Sequence, residues 1–129
     1  MGAQHDYRPV YQTSLVDPAE FWSSAAAAID WDVPPTQIVD MATRPVPRWF
    51  PDARLNTSYN ALDRHVHGAG DNRANQPALI YDSAMTDTRG QFTYAELLDA
   101  VAQFAGAMLR LGVRTGDRVV IYLPMIPEA

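Results

Sequence analysis

The chain has 129 residues, 47% of them hydrophobic and 19% charged, which is enough for one globular domain. Its net charge of −5 excludes a large basic nucleic-acid surface. All ten basic residues are arginine and cysteine is absent, so a Schiff-base lysine, a P-loop lysine, a thiol nucleophile, a disulfide framework and a cysteine metal site are all excluded within these residues.

The opening MGAQHDYRPV lacks the apolar core of a secretory signal, and Asp6 stands where a myristoylation motif needs Ser or Thr. No apolar run approaches the ~20 residues that span a bilayer. These features predict a soluble cytoplasmic protein that engages no membrane. Tyr7–Val16 alternates polar and aromatic residues and reads as an irregular arm. A helix follows: Asp17 is a good N-cap, Pro18 suits the first helical position, and Glu20 places acid in the first turn. Its apolar face is Phe21, Trp22, Ala25 and Ile29, and it runs to about Ile29. The alanine-rich face suits docking on a larger body. A membrane-surface helix would carry Lys or Arg, and this one has neither.

Asp30–Arg54 holds Pro34, Pro35, Pro45, Pro47 and Pro51, which disfavour a long helix or a central strand. Trp31, Trp49 and Phe50 in the same stretch want burial, so the expectation is an extended arm laid across another surface. The R-P-V-P-R run is the alternative, a short proline ligand for a recognition domain. Leu55–Val66 predicts a short helix capped by Ser58 or Asn56, with Tyr59, Leu62 and Val66 on one face and a stop at Gly68-Ala69-Gly70. Ala78–Tyr81 and Gln91–Tyr94 read as two strands of a hairpin around the polar Ser83–Gly90.

The stretch from Gln91 to Pro124 is the most informative. Thr93 and Glu96 form a T-x-x-E capping box. Leu97, Leu98, Val101, Phe104, Ala105 and Met108 then recur at helical spacing, and Gly112 supplies a left-handed stop. After a turn at Thr115-Gly116-Asp117, Arg118–Leu123 (RVVIYL) reads as a strand apolar on both faces. Such strands belong to parallel sheets covered on both sides, so the fold class expected is α/β. Met125–Ala129 reads as the first turn of a further helix with Pro127 near its start. The expectation is therefore the front part of something larger.

No side-chain constellation here declares a chemistry. His65 and His67 are two apart and point to different faces of a helix, which does not suit a shared metal. Asp63 and Arg64 fit an ion pair or a loop pin better than acid–base work. Ser58 lacks a G-x-S-x-G frame, and no G-x-G-x-x-G or P-loop motif occurs. Asp117 reads as a turn residue beside Gly116.

DPAEFW, RWF, RLNTSYNALDRHV, FTYAELLDAV and LGVRTGDRVVIYLPMIPEA together resemble the N-terminal portion of short-chain acyl-CoA synthetases, the AMP-forming acetyl- and propionyl-CoA synthetases of the adenylate-forming superfamily. The resemblance runs from about Tyr11 to Ala129, and Thr36-Gln37 leans toward the propionyl branch. It implies an incomplete N-terminal segment of the adenylate-forming large domain: an N-terminal helical and extended arm over residues 1–56, and the start of the AMP-binding domain over 57–129. It implies a parent enzyme that uses ATP, Mg2+ and coenzyme A to activate a small carboxylate through an acyl-adenylate. The family's phosphate loop, its Y-x-x-T-E segment, its ribose aspartate and its mobile-domain lysine find no match here. No catalytic, cofactor-binding or metal-binding residue is carried over, and no cofactor is expected on these residues alone. The partner expected is the remainder of the parent chain, with no nucleic acid and no membrane, and the isolated segment is expected to be inactive and marginally stable. The competing expectation is a stand-alone interaction module in which Trp22, Trp31 and Trp49 form a partner surface.

Overall fold

The computed structural model describes residues 7–42, 45–68, 70 and 72–128. The first six residues, Ala69 of the expected Gly68–Gly70 stop and Ala129 lie outside the described residues. The chain divides into two units, Met1–Thr57 and Ser58–Ala129.

The first unit opens on helix α1, Tyr7–Val16, where the sequence reading expects an irregular arm. Three local interactions account for it. Pro9 sits in the first turn, where its missing N–H costs nothing. Tyr7 and Tyr11 stack one turn apart with ring centroids at 5.6 Å. Thr13 Oγ1 and Ser14 Oγ donate back to the carbonyls of Pro9 (3.0 Å) and Tyr11 (2.7 Å), which absorbs polar groups that would otherwise favour a loop. None of its residues is buried.

Helix α2, Pro18–Ala26, starts as its sequence predicts: the Asp17 carboxylate accepts the Glu20 N–H at 3.0 Å and Pro18 opens the first turn. It stops three residues earlier than expected. Trp31 Nε1–H donates to the Ala26 carbonyl at 2.9 Å, using one of the acceptors that a helix end leaves open.

The proline-rich stretch is not an extended arm. It doubles back on itself. Val33 and Arg54 form a backbone bridge, and β1 (Val39–Asp40) pairs antiparallel with β2 (Arg48–Trp49) in the register Val39↔Trp49. The prolines lie outside this two-residue ladder, so the missing N–H groups break nothing. The Asp52 carboxylate ties the fold-back together: it accepts the backbone N–H of Thr36 at 2.9 Å and the Thr36 hydroxyl as well.

The second unit begins with a π-helical turn, Tyr59–Asp63, followed by the one-turn α3, Arg64–His67. Ser58 has helical dihedrals and no side-chain cap bond, so the expected serine cap does not form. Gly68 ends α3 in extended geometry, at a position that only glycine fits, since a Cβ there would lie 2.2 Å from the Arg64 carbonyl oxygen. The hairpin β3 (Pro77–Ser83) and β4 (Thr88–Thr93) is antiparallel, with Ile80 opposite Gln91 and an irregularity between Pro77 and Leu79. It is longer than the two short strands expected.

Helix α4, Tyr94–Arg110, has both ends fully specified. At its start Tyr94 and Ala95 donate to the carbonyls of Gln76 (3.1 Å) and Ala74 (3.0 Å), and Glu96 N–H goes to Thr93 Oγ1 at 3.3 Å. With the Thr93 N–H donated to Glu96 Oε2 at 2.9 Å, all four of its orphan donors are satisfied. At its end Val113 N–H reaches the Met108 carbonyl at 3.1 Å and Gly112 N–H the Leu109 carbonyl at 3.0 Å, a Schellman arrangement with Gly112 at φ 89°. A turn over Arg114–Asp117 follows. Arg114 N–H donates to Asp117 Oδ2 at 2.7 Å, Asp117 N–H donates to the Arg114 carbonyl at 3.0 Å, and Gly116 takes φ 96°.

The expected strand at Arg118–Leu123 does not form. These residues make no ladder with any described residue, and both described sheets are two-stranded and antiparallel, so the parallel sheet is absent among them. A strand exists only through a neighbour, however well its side chains suit one. Residues 125–128 form bends and a turn, not a helical turn.

Burial follows the same logic. Ala26 and Leu62 are the described apolar residues that reach the core, at 8% and 9% exposure. On α4 the stripe is half-covered at Leu97, Leu98, Ala105 and Met108, while Phe104 is 65% exposed.

Candidate functional site

In the first unit the aromatic residues gather. Phe21, Trp22, Trp49, Phe50 and Trp31 form a continuous series of ring contacts with centroids 5.2 to 6.3 Å apart. The adjacency of the three tryptophans is an outcome of the fold-back. The 22–31 and 31–49 separations carry no sign of it. Phe50 holds a left-handed φ of 46°, rare for a bulky side chain, and its N–H donates to the Ile38 carbonyl at 2.9 Å. The ring contacts on both sides and this hydrogen bond over-determine that conformation. Beside the series lies an open hollow of about 210 Å³ lined by Ser23, Ala26, Ile29, Trp31, Pro34 and Pro35. The hollow is apolar and presents no convergent donors or acids, so it offers packing and no chemistry.

Asp52 anchors the fold-back of this unit through its hydrogen bonds to Thr36. The Thr36 hydroxyl and then the Thr36 backbone N–H, donating to its carboxylate, hold it below the usual aspartate range. This residue escapes a sequence reading of the site. The only signal for it is the turn-favouring Pro51-Asp52 pair.

In the second unit the polar residues serve the backbone. His65 lies with its ring centroid 5.0 Å from that of Tyr94, and its carbonyl accepts the Arg73 N–H at 2.8 Å. Arg64 Nη1 donates to Asn60 Oδ1 at 3.1 Å, one helical turn away. Asp117 closes its own turn, as its sequence context predicts. Among the described residues no three His, Asp or Glu side chains converge as metal ligands. Glu96 Oε2 accepts the Thr93 N–H and the Thr93 hydroxyl, each at 2.9 Å, which completes the capping box. These bonds, the backbone one foremost, lower the pKa of Glu96 from its ordinary value. The arrangement positions strands and helices.

Residues 7–61 match the family model described as the acetyl-coenzyme A synthetase N-terminus, and residues 66–129 match the AMP-binding enzyme model. The chain is 43% identical over 129 residues to the human protein "acyl-CoA synthetase short-chain family member 3, mitochondrial", covering 99% of this chain and 18% of that protein. It is 41% identical over 119 residues to an acetyl-coenzyme A synthetase of Streptomyces avermitilis, covering 92% of this chain and 18% of that one. It is also 41% identical over 129 residues to the acetyl-coenzyme A synthetase of Bradyrhizobium diazoefficiens. The chain thus spans less than a fifth of the length of these relatives.

Proposed function

The chain belongs to the short-chain acyl-CoA synthetases as part of their N-terminal portion, and from that premise we propose that it is a scaffold segment of an ATP-dependent short-chain acyl-CoA ligase. The reaction proposed for the whole enzyme is carboxylate, ATP and coenzyme A to acyl-CoA, AMP and pyrophosphate, through an acyl-adenylate. Propionate is the substrate proposed, on the Thr36-Gln37 resemblance, with acetate as the second reading because two of the relatives carry acetyl-coenzyme A in their names. The observation that carries the proposal is the pair of adjoining matches, an N-terminal region followed directly by an AMP-binding region.

ATP, Mg2+ and coenzyme A belong to the whole enzyme in this reading. The described residues hold no cluster of three metal-ligating side chains and the chain has no lysine, so no step of the reaction is routed through its side chains. What the segment contributes is position. In this reading helix α2 and the fold-back belong to the N-terminal region, and the hairpin with α4 begins one of the layers of the large domain. Cytoplasmic residence belongs to the same proposal.

The test is pyrophosphate exchange into ATP by the purified 129-residue chain, with propionate and with acetate. No exchange above a protein-free control is expected with either acid. Exchange with either would place catalytic groups within these residues and overturn the scaffold reading.

A further inference from the structure

Phe50 and Asp52 lie in one turn, closed by the Ala53 N–H on the Phe50 carbonyl at 3.1 Å. The left-handed φ of 46° at Phe50 is strained for a bulky side chain, and an extended backbone there would relieve it. Two contacts oppose that relief: the Trp31 ring, with centroids at 5.4 Å, and the Ile38 carbonyl, which accepts the Phe50 N–H at 2.9 Å. Both belong to the other limb of the fold-back. They last only while the two limbs stay together.

Beside the turn, two ties cross between the limbs. One is the backbone pair of Val33 and Arg54, bonded in both directions at 3.0 and 2.9 Å. The other is the Asp52 carboxylate. It accepts the Thr36 N–H at 2.9 Å and the Thr36 hydroxyl on one oxygen, and the Gln37 N–H at 3.4 Å on the other. Two successive N–H groups and a hydroxyl converging on one anion make a nest, and bonds to an ionised acceptor exceed neutral ones in strength. Thr36 and Asp52 are both exposed, so a proton reaches the carboxylate without prior unfolding. The segments around it carry Asp32, Asp40, Arg48 and Arg54. Hydrogen bonds from Thr36, the hydroxyl first, and not a cation, hold the Asp52 pKa down.

We infer that Asp52 and Phe50 form a conformational switch in the fold-back: the charged Asp52 carboxylate is the catch that keeps Phe50 in its left-handed conformation against Trp31, and discharging it opens the turn. The catch is fully engaged above the ordinary aspartate value of 3.8 and is lost as the pH falls through the lower, folded-state value. Once neutral, the carboxyl no longer offers the nest a charge, and the strain at Phe50 is free to relax. The Phe50 ring then leaves Trp31. This device is independent of the ligase reading.

The experiment is nuclear magnetic resonance on the whole 129-residue chain, titrated from about pH 6 to about pH 3. It reads the Phe50 Cα shift, the Overhauser contact between the Phe50 and Trp31 rings, and protection of the Phe50 amide after correction for the intrinsic pH dependence of exchange. In the parent chain a single step is expected: the ring contact disappears, the Cα shift moves to its extended value, and protection falls about tenfold. Asp52→Asn should show no step. Asp52→Ala should be open already at the upper pH. Thr36→Val keeps the N–H donors and removes the hydroxyl, so its step should move to higher pH, which a merely structural role for Thr36 would not produce. Glu96 also discharges on acidification, but it caps α4 in the other unit and is untouched in all three variants. An unchanged step in Asp52→Asn, a retained Phe50–Trp31 contact in Asp52→Ala, or a step in Thr36→Val at the parent's pH would each overturn the inference. Should Asp52→Ala fail to fold, the other two variants still decide it.

Discussion

Thr93 and Glu96 show how little chemistry a defined helix start needs. One hydroxyl accepts the N–H of the third helical residue, and one carboxylate returns to the N–H and hydroxyl of the cap. Replacing Thr93 by Ala removes the acceptor and is expected to cost about 1 kcal/mol of local stability, read as increased amide exchange over the first turn of α4. Equal exchange in the variant would show that the Gln76 and Ala74 carbonyls anchor the helix alone. The Glu96 bond also titrates. Hydrogen bonding to the charged form holds its folded-state pKa below the ordinary 4.5. The stabilisation is therefore complete above about pH 4.5 and is lost as the pH falls through the lower, folded-state value. Glu96→Gln keeps a side chain that reaches the cap and removes the titration. The helical signal between pH 6 and pH 3 should fall less in that variant than in the parent, and equal slopes would assign the acid sensitivity elsewhere. Asp52 follows the same sign, since the Thr36 hydroxyl and N–H stabilise its charged form.

The elements differ in how they end. Helix α4 stops through Gly112, whose φ of 89° lets the Val113 and Gly112 N–H groups reach back to Met108 and Leu109. Gly112→Ala meets no steric neighbour, so its cost is conformational: about 1 kcal/mol, measured as a lower midpoint for loss of helix on heating. A midpoint equal to or above the parent's would mean the Schellman end is dispensable. Helix α2 stops for a different reason, with a tryptophan N–H from beyond its end taking up the Ala26 carbonyl. The capping box and Gly112 are sequence-adjacent devices and are readable in one dimension. Trp31 meeting Ala26, Asp52 meeting Thr36 and Phe50 meeting Ile38 are set by a chain reversal, and no local spacing announces them. The alternating polar and aromatic residues of Tyr7–Val16 predict an irregular arm; side-chain bonds back to Pro9 and Tyr11 reverse that outcome.

At the scale of the molecule the main quantity is uncovered apolar area. With Ala26 and Leu62 the described apolar residues at core burial, unfolding exposes less new surface than it does in a compact chain of this mass. The urea dependence of its unfolding free energy is expected to fall below about 1 kcal/mol/M, the low end for small proteins. A steep, concentration-independent transition followed by tryptophan fluorescence would contradict this and would favour a self-sufficient interaction module. The candidate site has the same character. The sequence motifs carry family resemblance and capping, and the residues that the fold brings together, the aromatic series and the Asp52 hub, hold the chain reversal in place.

By itself the sequence determines what is local: the caps of α2 and α4, the turn at Arg114–Asp117, the hairpin, and the absence of lysine and cysteine chemistry. It also carries the family, because that lies in the order of residues. Only the tertiary structure decides whether an apolar run becomes a strand, where α2 ends, and which aromatics meet. Hydrogen bonds within a few residues need no partner from afar. A ladder, a buried stripe and a packed aromatic series each need a second surface, and residues 118–123 stay outside any ladder and exposed because no described residue supplies one.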